Sequence, residues 1–289
     1  MTYVICAIAK NERRYVREWA EWHLARGFEH IYVFEDYGSE SHADLFEDEP
    51  RVTVHTLESY GVKNHHSSGT QLALYNQFLS DCREHGTAEW VAYIDVDEFI
   101  DFTDGYDLHR LCSEHATDPG ILLAWKCYNA SGHIKRPDGP VTEAYTELAP
   151  PFATDPQTMW NIKSIAHVPY CNTMISVHHA SGAVNTVGSF NIHGPLCYKK
   201  AWLRHYFSKS FEDYCDRMFT RGNLHNNYRS FDNFFRSNPD MMQHRDRLIA
   251  SVRHRHCNST MWISRELGII SGGNLGKLMQ LEKTPVVNP

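Results

Sequence analysis

Apolar positions gather first in one run, Tyr3–Ala9, which has the length of a buried strand. Lys10-Asn11-Glu12 follows. Val16, Trp19, Ala20, His23 and Leu24 then recur at i, i+3, i+4, i+7 and i+8, the stripe of one helix face. Gly27 is placed to stop that helix. His30–Phe34 reads as a second strand ending in Glu35-Asp36, and Arg51–Leu57 as a third. A helix from about Thr70 to His85 is closed by Gly86. Trp90–Ile94 is a fourth strand that runs straight into Asp95-Val96-Asp97-Glu98.

Beyond Phe99 the pattern loosens. Leu108–His115 reads as a helix and Ile121–Cys127 as a strand. A Gly/Pro-rich loop covers 129–140, and a Pro-rich loop 145–161. Short β pieces are expected at Ile162–Val168 and Ile175–His178. Ser210 to Asp213 has capping-box spacing and opens a helix ended by Gly222. Asn238-Pro239 suits the N-cap and first position of a last helix reaching about His254. There are no internal repeats.

Strands alternating with helices across short connections imply an α/β fold with parallel pairing through right-handed crossovers. Ligands of such sheets bind beyond the carboxyl ends of the strands. Three polar clusters fall there: Lys10-Asn11-Glu12, Glu35-Asp36 and Asp95-Val96-Asp97. Two carboxylates one residue apart at the mouth of a sheet can hold a hard divalent cation, Mn²⁺ or Mg²⁺, and the cation can bridge phosphate oxygens.

Composition narrows the picture. The chain has 289 residues and a net charge of −7, but Lys199–Cys257 carries 12 basic and 6 acidic residues. One basic segment on an acidic body suits a small polyanion docking in one place. No face-wide positive excess argues for nucleic acid. No apolar run has the length of a transmembrane segment, and the first residues lack a basic leader. The eight cysteines show no CxxC spacing, so reduced thiols in a cytoplasmic compartment are expected.

The ordered set of short strings is informative as well. It comprises Ala7-Ile8-Ala9-Lys10-Asn11-Glu12, Glu18-Trp19 with His23, and Trp90 with Ile94 to Ile100. It continues with Ser131-Gly132-His133 after Trp125, His205-Tyr206, Lys209-Ser210 and Arg221-Gly222. Together these resemble glycosyltransferases of the GT-A fold, in family 92 and the family 2-like group. The resemblance implies a Rossmann-like, mostly parallel sheet flanked by helices, with a mixed β/helical C-terminal segment on the acceptor side. On this reading residues 1–195 form the nucleotide-sugar core, and the basic segment 196–289 completes the active site. It further implies metal-dependent transfer from a nucleoside-diphosphate sugar, mostly with inversion. One departure is Glu35-Asp36, where the group tends to have Asp-Asn.

Roles follow from that resemblance and from what the chemistry needs. Asp97, with Asp95 partly through water, is expected to hold Mn²⁺ or Mg²⁺, and His205 to add a third ligand. Lys209 would set a charge on the diphosphate of a UDP- or GDP-sugar. Asn11, Glu12, Glu35, Asp36 and Gln71 would meet the base or ribose. His133 is the candidate base for a carbohydrate acceptor, with Glu212 its rival. Trp125, Tyr128 and Trp160 could stack on sugar faces. Two other readings stay open. A nucleotidyltransferase acting on a sugar phosphate would want a Gly-rich loop after the first strand, where Lys10-Asn11-Glu12-Arg13 stands. A non-catalytic sugar-binding module would not need the Asp95/Asp97 pair.

Overall fold

The computed structural model describes residues 1–63, 68–150, 161–188, 197–219 and 230–256. The elements, in chain order, begin with β1 (Tyr3–Ala9), α1 (Arg13–Leu24), β2 (His30–Glu35), β3 (Val52–Thr56) and α2 (Ser68–His85). Then come β4 (Trp90–Tyr93), β5 (Glu98–Phe102), α3 (Leu108–Glu114), β6 (Gly120–Cys127) and α4 (Val141–Ala144). Next are β7 (Ile162–His167), β8 (Val184–Asn185) and β9 (Ala201–His205), and last α5 (Phe211–Phe219), α6 (Phe231–Ser237) and α7 (Arg245–His256).

The strands lie in the order β3-β2-β1-β4-β7-β6-β9-β5, with β8 beside β6. β3, β2, β1 and β4 are all parallel, as strand–helix alternation predicts. The far half is mixed: β7 runs antiparallel to β4 and β6, and β5 antiparallel to β9, while β9 is parallel to β6. The four strands of the parallel half therefore point their carboxyl ends the same way, and the Asp95–Asp97 turn leaves from one of them.

That turn also switches the chain from one part of the sheet to another. Asp95-Val96-Asp97 connects β4, which lies between β1 and β7, to β5, which pairs with β9 at the other end of the strand order. The α1 stripe fixes the new direction. Trp19 and His23 are fully buried. Trp19 Nε1 donates to the Glu98 carbonyl at 2.8 Å, and Trp22 Nε1 to that of Ile100 at 2.8 Å. His23 Nε2 accepts the Ile100 N–H at 3.1 Å, while its Nδ1 sits 2.7 Å from the Trp19 carbonyl. These bonds and the apolar contacts of α1 hold the strand that begins just after the acidic pair.

Several expectations are corrected. Ile175–His178 is not a strand: Ile175 is 57% exposed, and the segment is a turn closed by a Met174–Ala180 bridge. Asn238 does not start the last helix. It ends α6, where its Nδ2 donates to the Phe234 carbonyl at 2.7 Å, and Pro239–His244 is a 3₁₀ turn before α7. The proline's fixed φ suits that turn as well as it suits a helix start. The strands β5 and β9 and the helix α6 were not expected from the pattern. The Ser210 capping box is present: Asp213 N–H donates to Ser210 Oγ at 3.0 Å. Gly222, which was to end the following helix, lies outside the described residues, as does Trp160.

The chain groups into two compact units, Met1–Met242 and Gln243–Pro289. Strand β9 and helix α5, which lie beyond residue 195, fall within the first of them. No helix among the described residues is long and apolar enough to cross a membrane.

Candidate active site

The first two polar clusters are bound into each other. Ala9 and Glu35 are register partners at the ends of β1 and β2. Asn11 adopts φ 53°, a left-handed conformation that asparagine tolerates better than most residues. Its Oδ1 accepts the Glu40 N–H at 2.9 Å, and its own N–H donates to Ser39 Oγ at 3.0 Å. Buried His42 joins the two strand ends. It accepts the Glu12 N–H at Nε2 (3.1 Å) and approaches Glu35 Oε1 through Nδ1 (3.3 Å). Burial pulls its imidazole below the ordinary histidine range despite the Glu35 carboxylate. Asp36 accepts the Tyr37 N–H at 2.8 Å and pairs with Lys10 at 3.3 Å. Asn11, Glu35 and Asp36 thus build the rim by bonding within it.

The acidic turn stands beside this rim, and each of its carboxylates pairs with a cation, Asp95 with buried Lys163 and Asp97 with partly exposed Arg217. Asp95 Oδ2 is 2.8 Å from Lys163 Nζ, and its Oδ1 accepts from Gln71 Nε2 at 2.9 Å. Gln71 also donates to the Tyr75 hydroxyl at 2.7 Å. Lys163, on β7, is fully buried and lies 3.7 Å from Glu98 Oε2, the oxygen that accepts the Asp95 N–H at 2.8 Å. Burial raises the Glu98 carboxyl well above the ordinary carboxylate range, with Lys163 opposing. The two carboxylates raise the Lys163 ammonium against its own desolvation.

Asp97 is 4% exposed. Its Oδ2 is 2.7 Å from Arg217 Nη1 and 3.8 Å from His205 Nε2. Arg217 Nη2 reaches Glu12 Oε1 at 3.4 Å, so one guanidinium ties the end of β1 to the acidic turn. Glu12 makes no side-chain cap for α1. His205 is buried against Trp125, with ring centroids 4.2 Å apart, and its Nδ1 is 3.8 Å from Cys127 Sγ. Burial pushes it down to about 4, so it is neutral at pH 7. Lys209 is also buried. It takes φ 49°, lies with Nζ 4.3 Å from the Tyr15 ring centroid, and that amine has no hydrogen-bond partner among the described residues. Burial draws it down to about 8.

His133 and Glu212 are brought together, but by structural bonds. His133 Nε2 is 3.1 Å from the Ala144 carbonyl, and its own carbonyl accepts the Phe211 N–H at 3.1 Å. Glu212 Oε2 accepts the Arg136 N–H at 2.9 Å. Ser131, at φ 47°, accepts the N–H groups of Thr146 and Glu147 through Oγ. The Ser131-Gly132-His133 string therefore fastens the loop after β6 to α5.

Lys163 and Arg217 were not anticipated. Lys163 carries a legible signal, a lone charge inside the apolar strand Ile162-Lys163-Ser164-Ile165-Ala166. Arg217 carries none, because its partners lie 120 and 205 positions away.

Four parallel strands, an antiparallel neighbour, and a carboxylate pair on the turn leaving β4 define a mixed α/β fold with an acidic rim at one end of its parallel half. The profile of Glycosyltransferase family 92 matches residues 2–257, and the chain belongs to that family. Among its relatives, a family 92 protein of Oryza sativa subsp. japonica is 26% identical over 153 residues, 51% of this chain and 25% of that protein. One of Ricinus communis is 29% identical over 151 residues, 49% of this chain and 25% of that protein. The matched stretch spans a quarter of the length of either relative. Among solved structures, S. aureus TarS 1-349 in complex with UDP-GlcNAc superposes with a TM-score of 0.41 at 12% identity, covering 93% of this chain and 76% of that one.

Proposed function

We propose that the chain transfers a sugar from a UDP- or GDP-sugar to a carbohydrate hydroxyl, with inversion, in a reaction that depends on Mn²⁺ or Mg²⁺. The observation that carries this reading is Asp97 at the sheet rim, with the neutral imidazole of His205 facing the same carboxylate oxygen.

The donor set fits such an ion. Two ligands each about 2.1 Å from one ion stand at most about 4.2 Å apart, and Asp97 Oδ2 and His205 Nε2 are 3.8 Å apart. A carboxylate oxygen suits Mn²⁺ or Mg²⁺, and the imidazole nitrogen adds a ligand that favours a transition metal such as Mn²⁺ over Mg²⁺. With the Nδ1 proton on the Cys127 side, Nε2 presents its lone pair to the site. No cluster of three or more His, Cys, Asp or Glu side chains among the described residues could hold a metal alone. Asp97 and His205 would hold the ion, with Asp95 contributing through water, and the remaining positions would be left to water and the substrate. When bound, the ion offsets charge developing on the leaving diphosphate.

The chain's own residues do the rest. The acceptor oxygen bonds to the anomeric carbon as the bond from that carbon to the phosphate oxygen breaks. The electron pair leaves with the nucleoside diphosphate, and the acceptor proton passes to a base. His133 is assigned that role through Nδ1, since Nε2 is committed to Ala144. Glu212 remains the rival through its second oxygen. Lys209, a buried amine with no hydrogen-bond partner among the described residues, is assigned to the diphosphate. Asn11, Glu12, Glu35, Asp36 and Gln71 form the wall for the nucleoside. We assign the reaction to a reducing, cytoplasmic compartment, a reading supported by the seven free cysteines among the described residues.

Thermal-shift measurements against UDP and GDP, with and without Mn²⁺, test the proposal. Stabilisation by one of them is expected to require the ion and to vanish in Asp97→Asn. Equal stabilisation with and without Mn²⁺ would refute the metal-dependent reading.

A further inference from the structure

Building on the metal-dependent reading above, we infer that Arg217 occupies two stations. In the free protein it is the counter-ion of Asp97, and in the loaded protein it has released Asp97 and carries its charge to the leaving diphosphate.

The geometry forces a choice on one oxygen. Asp97 Oδ2 is both the atom that Arg217 Nη1 holds at 2.7 Å and the atom that faces His205 Nε2 at 3.8 Å. A divalent cation shared by Asp97 and His205 would sit close to that guanidinium, and the two positive charges repel in a weakly screened interior. Arg217 must therefore leave for Asp97 to serve a cation.

The neighbouring pair behaves differently. Lys163 is fully buried and held by both Asp95 and Glu98. The Arg217 side chain is 13% exposed, and among the described residues it makes polar contacts of 2.7, 3.3 and 3.4 Å to Asp97, the Phe207 carbonyl and Glu12. It is the cation of the two that can turn outward. A planar guanidinium also matches phosphate oxygens two at a time, which an ammonium does not.

The charges left behind are covered. Lys209 lies within electrostatic reach of Glu12, Asp97 and Asp213, and its amine has no hydrogen-bond partner among the described residues. Its charge still acts on Glu12 when Arg217 withdraws. Arg217 thereby couples ion binding to diphosphate binding. Each ligand helps the other by removing or capturing the same guanidinium, and such coupling is reciprocal.

The test is Mn²⁺ binding followed by electron paramagnetic resonance, on the whole chain, with and without UDP or GDP. In the wild type, the nucleotide is expected to tighten Mn²⁺ binding. In Arg217→Met, binding of Mn²⁺ alone is expected to tighten about tenfold, and the further gain from nucleotide to disappear. Arg217→Lys keeps a charge beside Glu12, guarding against a misfolded variant, and is expected to shift both quantities the same way by less. Nucleotide-enhanced binding in the wild type with unchanged or weaker Mn²⁺ affinity in folded Arg217→Met or Arg217→Lys would overturn the two-station role alone. Absence of Mn²⁺ binding in the wild type under every condition would instead remove the metal-dependent reading, and this inference with it.

Discussion

Three side chains near Asp97, two buried and Arg217 partly exposed, show how environment sets a residue's use. His205, Lys209 and Arg217 are all nominal bases. Burial leaves His205 neutral, pulls Lys209 down to about 8, and keeps Arg217 charged against its desolvation because Asp97 and Glu12 face it. Only the first has a lone pair to offer a cation at pH 7. His205→Ala is therefore expected to weaken Mn²⁺ binding at least tenfold, the loss of one ligand, whereas His133→Ala is expected to leave it unchanged and to lower kcat about a hundredfold, within the usual range for a general base. Isothermal titration with Mn²⁺ and UDP, beside turnover measurements, separates the two. The opposite ordering would exchange their roles.

Among the elements, α1 and β5 form the unit on which the site depends. The apolar stripe of α1 also delivers three polar groups to the backbone of β5. His23, buried and neutral, is held down to about 3 by desolvation, while the unfolded chain titrates near the ordinary value of about 6.5. A folded value below the unfolded one means that the unfolded state binds more protons in this window. Stability from His23 is then complete above about pH 6.5 and falls as the pH drops toward 3. By pH 5 this amounts to about 2 kcal/mol. Urea unfolding at pH 7 and pH 5 is expected to show a smaller loss for His23→Gln than for the wild type. Equal losses would mean that another group carries the acid sensitivity. On the other side of the sheet, a Cβ on Gly120 would lie 2.7 Å from the Ile165 carbonyl oxygen and 3.3 Å from Ala166 Cα. Both are backbone atoms of β7, so the strands must part to admit it. Gly120→Ala is expected to cost about 1–3 kcal/mol in chemical denaturation, the usual range for overpacking.

At the scale of the whole molecule, the charge asymmetry of the sequence takes on a different meaning. The basic segment that follows residue 199 looked like a docking surface for an anion. Part of it is engaged with the acidic body: Lys200 pairs with Glu114 at 2.8 Å, Arg204 hydrogen-bonds Asp101 at 2.7 Å, and Arg217 pairs with Asp97 at 2.7 Å. These pairs fasten β9 and α5 to the acidic residues of β5, α3 and the Asp95–Asp97 turn. The strand–helix alternation of the first hundred residues was legible because each element declares itself over a short window: Tyr3–Ala9 by an unbroken apolar run, α1 by its stripe. The later strands were not. β9 alternates buried and partly exposed residues, Ala201 to His205, but over five positions, and β5 follows a turn that gives no warning of a change of partner.

The sequence by itself determined the parallel half of the sheet, the acidic pair at its rim, and the family resemblance. These rest on local periodicity and on residues close together in the chain. Only the tertiary structure decided that Asp95 belongs to Lys163 and Asp97 to Arg217, or that Trp19 and His23 serve as supports of β5. A buried ion pair is specified by distance in space. Partners 68 and 120 positions apart leave no trace in a pattern read a few residues at a time.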